Sequence, residues 1–320
     1  MALSRRVLMI IEKPSMVQYV VPHWLDQFPH DHIHLFCTLR RAALRFKLNR
    51  NLPLSAAPLI TEPVLERIPS EECYYCNGDF GEEARAADHI ICANGFAPHH
   101  SRNLLDLMTE HGIETPLSEV SWVPIEGIDA EEIKSKIKLG LRADHPDFTR
   151  MASIGHARRY FNYLYLVNAL PVFGLALRSA GIDTTGNLGF ISKYTLQSLL
   201  LLDRADPGPL LWNDIVKLMR NNPASKTPSP IGTVYSREAL ITWLWDSGCL
   251  TSDNGKRTGL LSLSDRGRRL ASLFHKDCFD PHLSSRFEGW GENWPASKPA
   301  IDRYIRSFFG KEKRFLLKRS

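Results

Sequence analysis

The sequence predicts an α/β domain followed by a mostly α domain that carries a winged-helix element. Three observations lead there. A continuous apolar run, Val7–Ile11, and a second short buried segment, Asp88–Ala93, each end in a turn and a helix, the pattern of strands buried within a sheet. Beyond Asp129 the pattern is helical. Residues 235–274 read helix, strand, basic turn, strand, helix. A chain of 320 residues, 43% hydrophobic and 23% charged, has length for two or three domains and too much apolar content for disorder as its main state. The expected division is 1–127, 128–295 and a basic C-terminal tail, 296–320.

The elements follow in order. Val7–Ile11 stops at Glu12-Lys13-Pro14-Ser15, where Pro14 and Ser15 suit a helix start, so Met16–Leu25 reads as a helix. Ile33–Thr38 is a second strand, and the Pro-rich stretch Leu52–Pro69 an extended surface segment. Asp88–Ala93 is a third strand. Asn94-Gly95-Phe96-Ala97-Pro98 is a turn and Ser101–His111 a helix. Two strand–turn–helix units make a small sheet with the strand ends Glu12 and Asn94 on one edge. Ala130–Gly140 is amphipathic. Phe148–Leu177 is helical with a break near Pro171, and Phe190–Leu202 follows a Gly/Thr-rich turn. Asn222–Pro230, with three prolines, is a linker or exposed loop.

The winged element is more specific. Ser236–Gly248 is a helix with Ser236 as its N-cap and Gly248 as its stop. Asn254-Gly255 supplies the hairpin turn between Cys249–Thr251 and Gly259–Leu263. Ser264 opens the last helix, to Phe274. Lys256 and Arg257 on the turn, with Arg266, Arg268 and Arg269, would meet a phosphate backbone.

Charge is segregated. Lys298–Ser320 holds eight Lys/Arg against two acids, while the whole chain is only +5. Ile33–Thr61 holds Arg40, Arg41, Arg45, Lys47 and Arg50 and no acid. Separate basic patches of this kind suit a polyanion, most often nucleic acid. No membrane span is expected, since the run Leu164–Leu177 is interrupted by Asn168 and Pro171. Six irregularly spaced cysteines form no disulfide framework, and a reducing, cytoplasmic setting is expected.

The run Val7-Leu8-Met9-Ile10-Ile11-Glu12-Lys13-Pro14-Ser15 resembles the start of the Toprim domain of type IA DNA topoisomerases, where a strand ends in a glutamate followed by Lys-Pro-Ser and a helix. The resemblance implies that Glu12 stands where the family keeps its acid/base at the scissile phosphate, and Lys13 where a lysine favours the transition-state charge. Further stretches are similar in the family's order. They are Ser121-Trp122-Val123-Pro124 with the acidic run Ile128–Ile133, the helix Ala157–Asn168 with Arg158 at a DNA-facing position, and Leu188–Leu199, where Lys193 keeps a cation. Ser262–Glu288 resembles the end of the family's core. The resemblance implies a Toprim-like α/β domain and a helical/winged core around a single-strand groove. Tyr160, Tyr163 and Tyr194 would be stacking platforms there.

The departures bear on chemistry. The family's second Toprim strand ends in Asp-x-Asp, which binds Mg²⁺ through carboxylates. Here Asn94 and Phe96 take those places. The tyrosine nucleophile belongs to an arch for which the residues between Leu202 and Trp212 leave no room, and Tyr235 beside Arg237 matches a non-catalytic stretch. Other candidates are weaker. They are His30, His32 and His34 alternating along a strand, Cys73-Tyr74-Tyr75-Cys76 with ligand or redox spacing, and His99-His100, which together with Glu12 would hold a transition metal if the turn is not simply remodelled.

The expected function is therefore nucleic-acid binding by a catalytically degenerate topoisomerase-like protein. It would hold single-stranded DNA inside a larger nucleoprotein complex of bacterial or mobile-element DNA metabolism. The expected nucleic-acid-binding residues are Arg40, Arg41, Arg45, Arg158, Lys193, Lys256, Arg257, Arg266, Arg268 and Arg269, with Glu12 and Lys13 vestigial. No cofactor or metal is expected, Mg²⁺ entering only under a first alternative, a Toprim-type nuclease using Glu12. A second alternative is an assembly subunit that binds proteins through the winged region.

Overall fold

A computed structural model of the chain describes residues 4–38, 44–48, 52–67, 79–184, 191–224 and 229–318. Arg40, Arg41, Cys73 and Cys76, and the side chains of Arg45 and Tyr235, lie outside the described residues. The fold divides into two compact units. The first is Met1–Lys47, Val64–Arg159 and Gly291–Pro295; the second is Leu48–Pro63, Tyr160–Trp290 and Ala296–Ser320.

The first unit contains β1 (Arg6–Ile11), α1 (Val17–Gln27), β2 (His32–Cys37), β3 (Leu44–Phe46), β4 (Leu65–Arg67), α2 (Phe80–Ala86), β5 (His89–Ala93), α3 (Pro98–Glu110), β6 (Ser121–Trp122) and α4 (Ala130–Leu139). Strands β2-β1-β5-β6 form one sheet, each neighbouring pair parallel. The pleat of β1 sends Leu8 and Ile10 to one face, with Phe80, Leu104 and Leu107 from α2 and α3. It sends Val7, Met9 and Ile11 to the other, with Val20, Trp24, Ile133 and Ile137 from α1 and α4. Covering both faces is what lets every residue from Val7 to Ile11 be apolar and buried. Strands β3 and β4 form a separate antiparallel pair.

Helix α5 (Pro146–Ser179) begins in the first unit and continues into the second. Pro171 does not break it, contrary to the sequence reading. Val167, Ala169, Val172 and Phe173 around the proline are all buried, and that burial outweighs the missing backbone bond. Asn168, which interrupts the apolar run, is fully buried and satisfied: its amide exchanges hydrogen bonds with the backbone of Leu59 at 2.6 and 2.8 Å. By length and composition α5 is apolar enough to cross a membrane, but most of it is buried within the protein.

The second unit continues with α6 (Lys193–Ala205), α7 (Trp212–Asn221), α8 (Val234–Asp246), β7 (Leu250–Ser252), β8 (Leu261–Leu263), α9 (Asp265–Ser272), α10 (Leu283–Glu292) and α11 (Lys298–Leu317). Its core is aromatic. Phe161 meets Phe287 edge-on at 5.0 Å, Tyr165 meets Phe309 at 5.4 Å, and Phe173 meets Phe274 at 5.2 Å. Helix α11 corrects the expectation of a tail at 296–320. Ile301, Ile305, Phe308, Phe309 and Leu316 on it are buried. Lys313 ties it to the carbonyls of Ser55 and Ala57 at 2.9 and 2.7 Å. The cap of α8 also differs: Thr233 is the N-cap, and Ser236 closes a capping box from the third helical position. Strands β7 and β8 pair antiparallel, and Ser264 caps α9 by accepting from the Gly267 amide at 3.0 Å.

Candidate functional site

Strands β1 and β5 run in parallel register, Ile11 beside Ala93. The chain therefore leaves the sheet at Glu12 and Asn94 on the same carboxyl edge, where open α/β sheets bind their ligands. Asn94 is buried and turns toward Cys92 Sγ at 3.7 Å. Phe96 packs on the core beneath β6, its ring 5.8 Å from that of Trp122.

Helix α3 starts at Pro98, earlier than the sequence reading placed it. Proline at the first helical position needs no amide partner and presets φ. His99 and His100 thus lie in the first turn of a helix rather than in a remodelled loop. The turn is held from behind by α5: a Cβ on Gly155 would sit 2.3 Å from the Pro98 carbonyl oxygen and 2.8 Å from Arg102 Cβ. Glycine there permits the close approach.

The result is a compact cluster. His100 is 5% exposed, its Nδ1 lies 2.9 Å from the Gly95 carbonyl oxygen, and its Nε2 lies 3.3 Å from Glu12 Oε2. Gly95 makes room for the ring, since a Cβ there would meet His100 Cε1 and Nδ1 at 3.1 Å. Glu12 Oε1 faces Lys13 Nζ at 3.6 Å. The rings of His99 and His100 are 3.9 Å apart. Ligand atoms of Glu12, His99 and His100 all lie within 4.8 Å of one another.

Electrostatics follow from these contacts. The His100 contact holds the Glu12 carboxyl below its ordinary range against the opposing effect of burial, with Lys13 and His99 adding to it. His99 is pressed down to about 4, by desolvation first, then by His100 and the positive fields of Arg102 and Arg158. Arg102 is itself lowered to about 10 by desolvation and by Arg159. It bonds Asp106 at 3.1 Å, and Arg159 bonds the same carboxylate. The sequence reading missed Arg102. Its signal was the spacing from His99, three residues along α3 and so on the same face.

Of the other expected nucleic-acid residues, several are already engaged. Lys193 Nζ donates to Asn162 Oδ1 at 2.6 Å and lies 4.6 Å from the Tyr194 ring centre. Arg257 pairs with Asp246, Arg268 with Asp206 at 3.1 Å, and Arg266 donates to the Ser247 carbonyl at 3.3 Å. Lys256 and Arg269 are exposed, and Arg158 is half-buried. Tyr160 and Tyr163 are 5% and 4% exposed, so they pack in the core and are not stacking platforms; Tyr194 is half-buried. Of the alternating histidines, His34 pairs with Glu83 at 3.3 Å, and no metal-type cluster forms around them among the described residues.

No family model matches the chain, and no curated protein does. Among solved structures it is similar to full-length topoisomerase I from Thermotoga maritima, at 12% identity and a TM-score of 0.41, over 62% of this chain. The matched region spans 30% of that protein's length.

Proposed function

We propose that this chain binds nucleic acid, single-stranded DNA in particular, as a catalytically degenerate topoisomerase-like protein within a larger nucleoprotein complex. The observation that carries the reading is the carboxyl edge of the parallel sheet. There Glu12 and Lys13 end the central strand, beside a helix start with Arg102 and Arg158 close enough to act on His99. A helix N-terminus with cations around it favours a phosphate. The basic hairpin between β7 and β8, with Lys256 exposed on it and Arg269 exposed on the following α9, is a second phosphate-contacting element and serves as the wing of a winged helix.

Strand passage is outside this reading. The residues between α6 and α7, Asp206 to Leu211, make a short connection, and the Asp-x-Asp metal carboxylates are replaced by buried Asn94 and packed Phe96. A second reading, metal-dependent cleavage using Glu12, is favoured by the grouping of Glu12 with His99 and His100. The two readings separate in one assay. A binder retains labelled single-stranded DNA intact with Mg²⁺ or Mn²⁺ present; a nuclease shortens it and loses that activity in Glu12→Gln.

A further inference from the structure

We infer that Glu12, His99 and His100 form a binding site for a divalent first-row transition metal of the Zn²⁺ class. This stands on the side chains of the first unit and is independent of the nucleic-acid reading. Its starting point is His100. The Nδ1 atom faces a carbonyl oxygen, Gly95 O, at 2.9 Å, so it carries the ring's hydrogen. Nε2 then presents its lone pair, in a buried side chain 7% exposed. That atom has no hydrogen-bond partner and sits 3.3 Å from Glu12 Oε2, another acceptor. With the imidazole neutral, two acceptors face one another there and a cation between them relieves the contact; with it protonated, His100 donates to Glu12, and an arriving metal displaces that proton.

The arrangement is that of a metal ligand with its outer support in place. A ligating histidine donates its second ring N–H to a backbone carbonyl, which fixes tautomer and orientation; Gly95 does this for His100. Two ligands on a tetrahedral zinc with bonds of about 2.1 Å are about 3.4 Å apart, close to the 3.3 Å between Glu12 and His100. A ring nitrogen of His99 lies within 4.8 Å of the other two ligand atoms, and in the proposed site it supplies the third bond. Lys13 holds the other carboxylate oxygen, Oε1, which leaves Oε2 for the metal.

Two imidazoles and one carboxylate favour Zn²⁺, Co²⁺ or Fe²⁺ over Mg²⁺, which prefers oxygen ligands. Three protein ligands leave coordination positions open, so an anionic oxygen, such as that of a phosphate, is the class of ligand the bound metal would take.

The test is calorimetric titration of the full chain, stripped with chelator, with ZnCl₂ and in parallel with MgCl₂; CoCl₂ gives a visible spectrum of the ligand field. One Zn²⁺ per chain is expected, bound at least about tenfold more tightly than Mg²⁺, with Co²⁺ bands typical of imidazole ligation. Glu12→Gln and His99→Ala should each weaken Zn²⁺ at least about tenfold, and His32→Ala should leave it unchanged. His99 is exposed, so its variant keeps the fold and its titration decides the matter. Zn²⁺ binding that survives His99→Ala intact, or Mg²⁺ binding as tight as Zn²⁺, overturns the assignment.

Discussion

Glu12 Oε2 lies 3.3 Å from Nε2 of His100, across the gap between the end of β1 and the first turn of α3. That one distance depends on two glycines that bear no chemistry. Gly95 lets the imidazole lie against the backbone, and Gly155 lets α5 press the first turn of α3 toward the sheet edge.

Gly155→Ala tests the second dependence. In an exposed helix the change would stabilise by about 1 kcal/mol. Here the new Cβ would meet the Pro98 carbonyl oxygen at 2.3 Å, and a backbone atom cannot rotate away. The expected outcome is a net loss of about 1–3 kcal/mol, read from urea denaturation of the full chain. A stabilised variant would show that α5 and α3 do not touch here.

Gly95→Ala tests the first. Its Cβ would touch the His100 ring at 3.1 Å and the Ile125 carbonyl oxygen at 3.2 Å, so the ring must shift by a few tenths of an ångström. The expected result is a modest destabilisation, about 1 kcal/mol, with a changed Nδ1–H resonance for His100. An unchanged imidazole spectrum would contradict the contact with Gly95.

Glu312 predicts a pH dependence. It is fully buried on α11, with Oε2 accepting from the His275 amide at 2.7 Å and lying 3.2 Å from Cys278 Sγ. Burial pushes its carboxyl from 4.5 up to about 7. The folded state therefore binds the proton more tightly than the unfolded chain. The stabilisation is full below about 4.5 and is lost as pH rises through about 7. The loss is about 3 kcal/mol. Glu312→Gln should flatten stability over that window; an unaltered slope would show that Glu312 does not supply it.

Helix α11 is structural as well as basic. Phe309→Ala should cost about 3–5 kcal/mol in chemical denaturation, because Phe309 is fully buried. Removal of residues 296–320 should leave the second unit without a cooperative transition. A truncated chain with undiminished stability would restore the reading of this segment as a tail.

That segment shows what the sequence conceals. Eight basic residues mask an apolar stripe, and Ile301, Ile305, Phe308 and Phe309 are at helical spacing and could have been read as a core face. The sheet was legible because Val7–Ile11 in β1 and Ile90–Ala93 in β5 are uninterrupted apolar runs, and the edge was legible because parallel strands end together. The start of α3 was missed although Pro98 marks it, since Asn94-Gly95 reads equally well as the beginning of a longer turn. Tyr160 and Tyr163 lie on α5, which is buried around most of its circumference. Such a helix has no polar face to tell a core tyrosine from an exposed one. Glu12, His99 and His100 were already a candidate set in the sequence, but the distances between them depend on a strand register and two close approaches that a single sequence does not display.

The central claim, nucleic-acid binding with a preference for single strands, is tested most directly by fluorescence anisotropy. The full chain is titrated into labelled single-stranded and duplex oligonucleotides between about 50 and about 200 mM salt. The account predicts tighter binding to the single strand and affinity that falls steeply with salt. Arg40, Arg41 and Arg45 changed together to Glu should flatten the salt slope by about one unit for each phosphate that is no longer neutralised. The exposed Arg303, Arg306 and Arg314 of α11 reversed in the same way serve as the control for nonspecific attraction and should leave the strand preference intact. No binding at the lowest salt, or equal binding of both strand forms that disappears only with the α11 reversal, would contradict it.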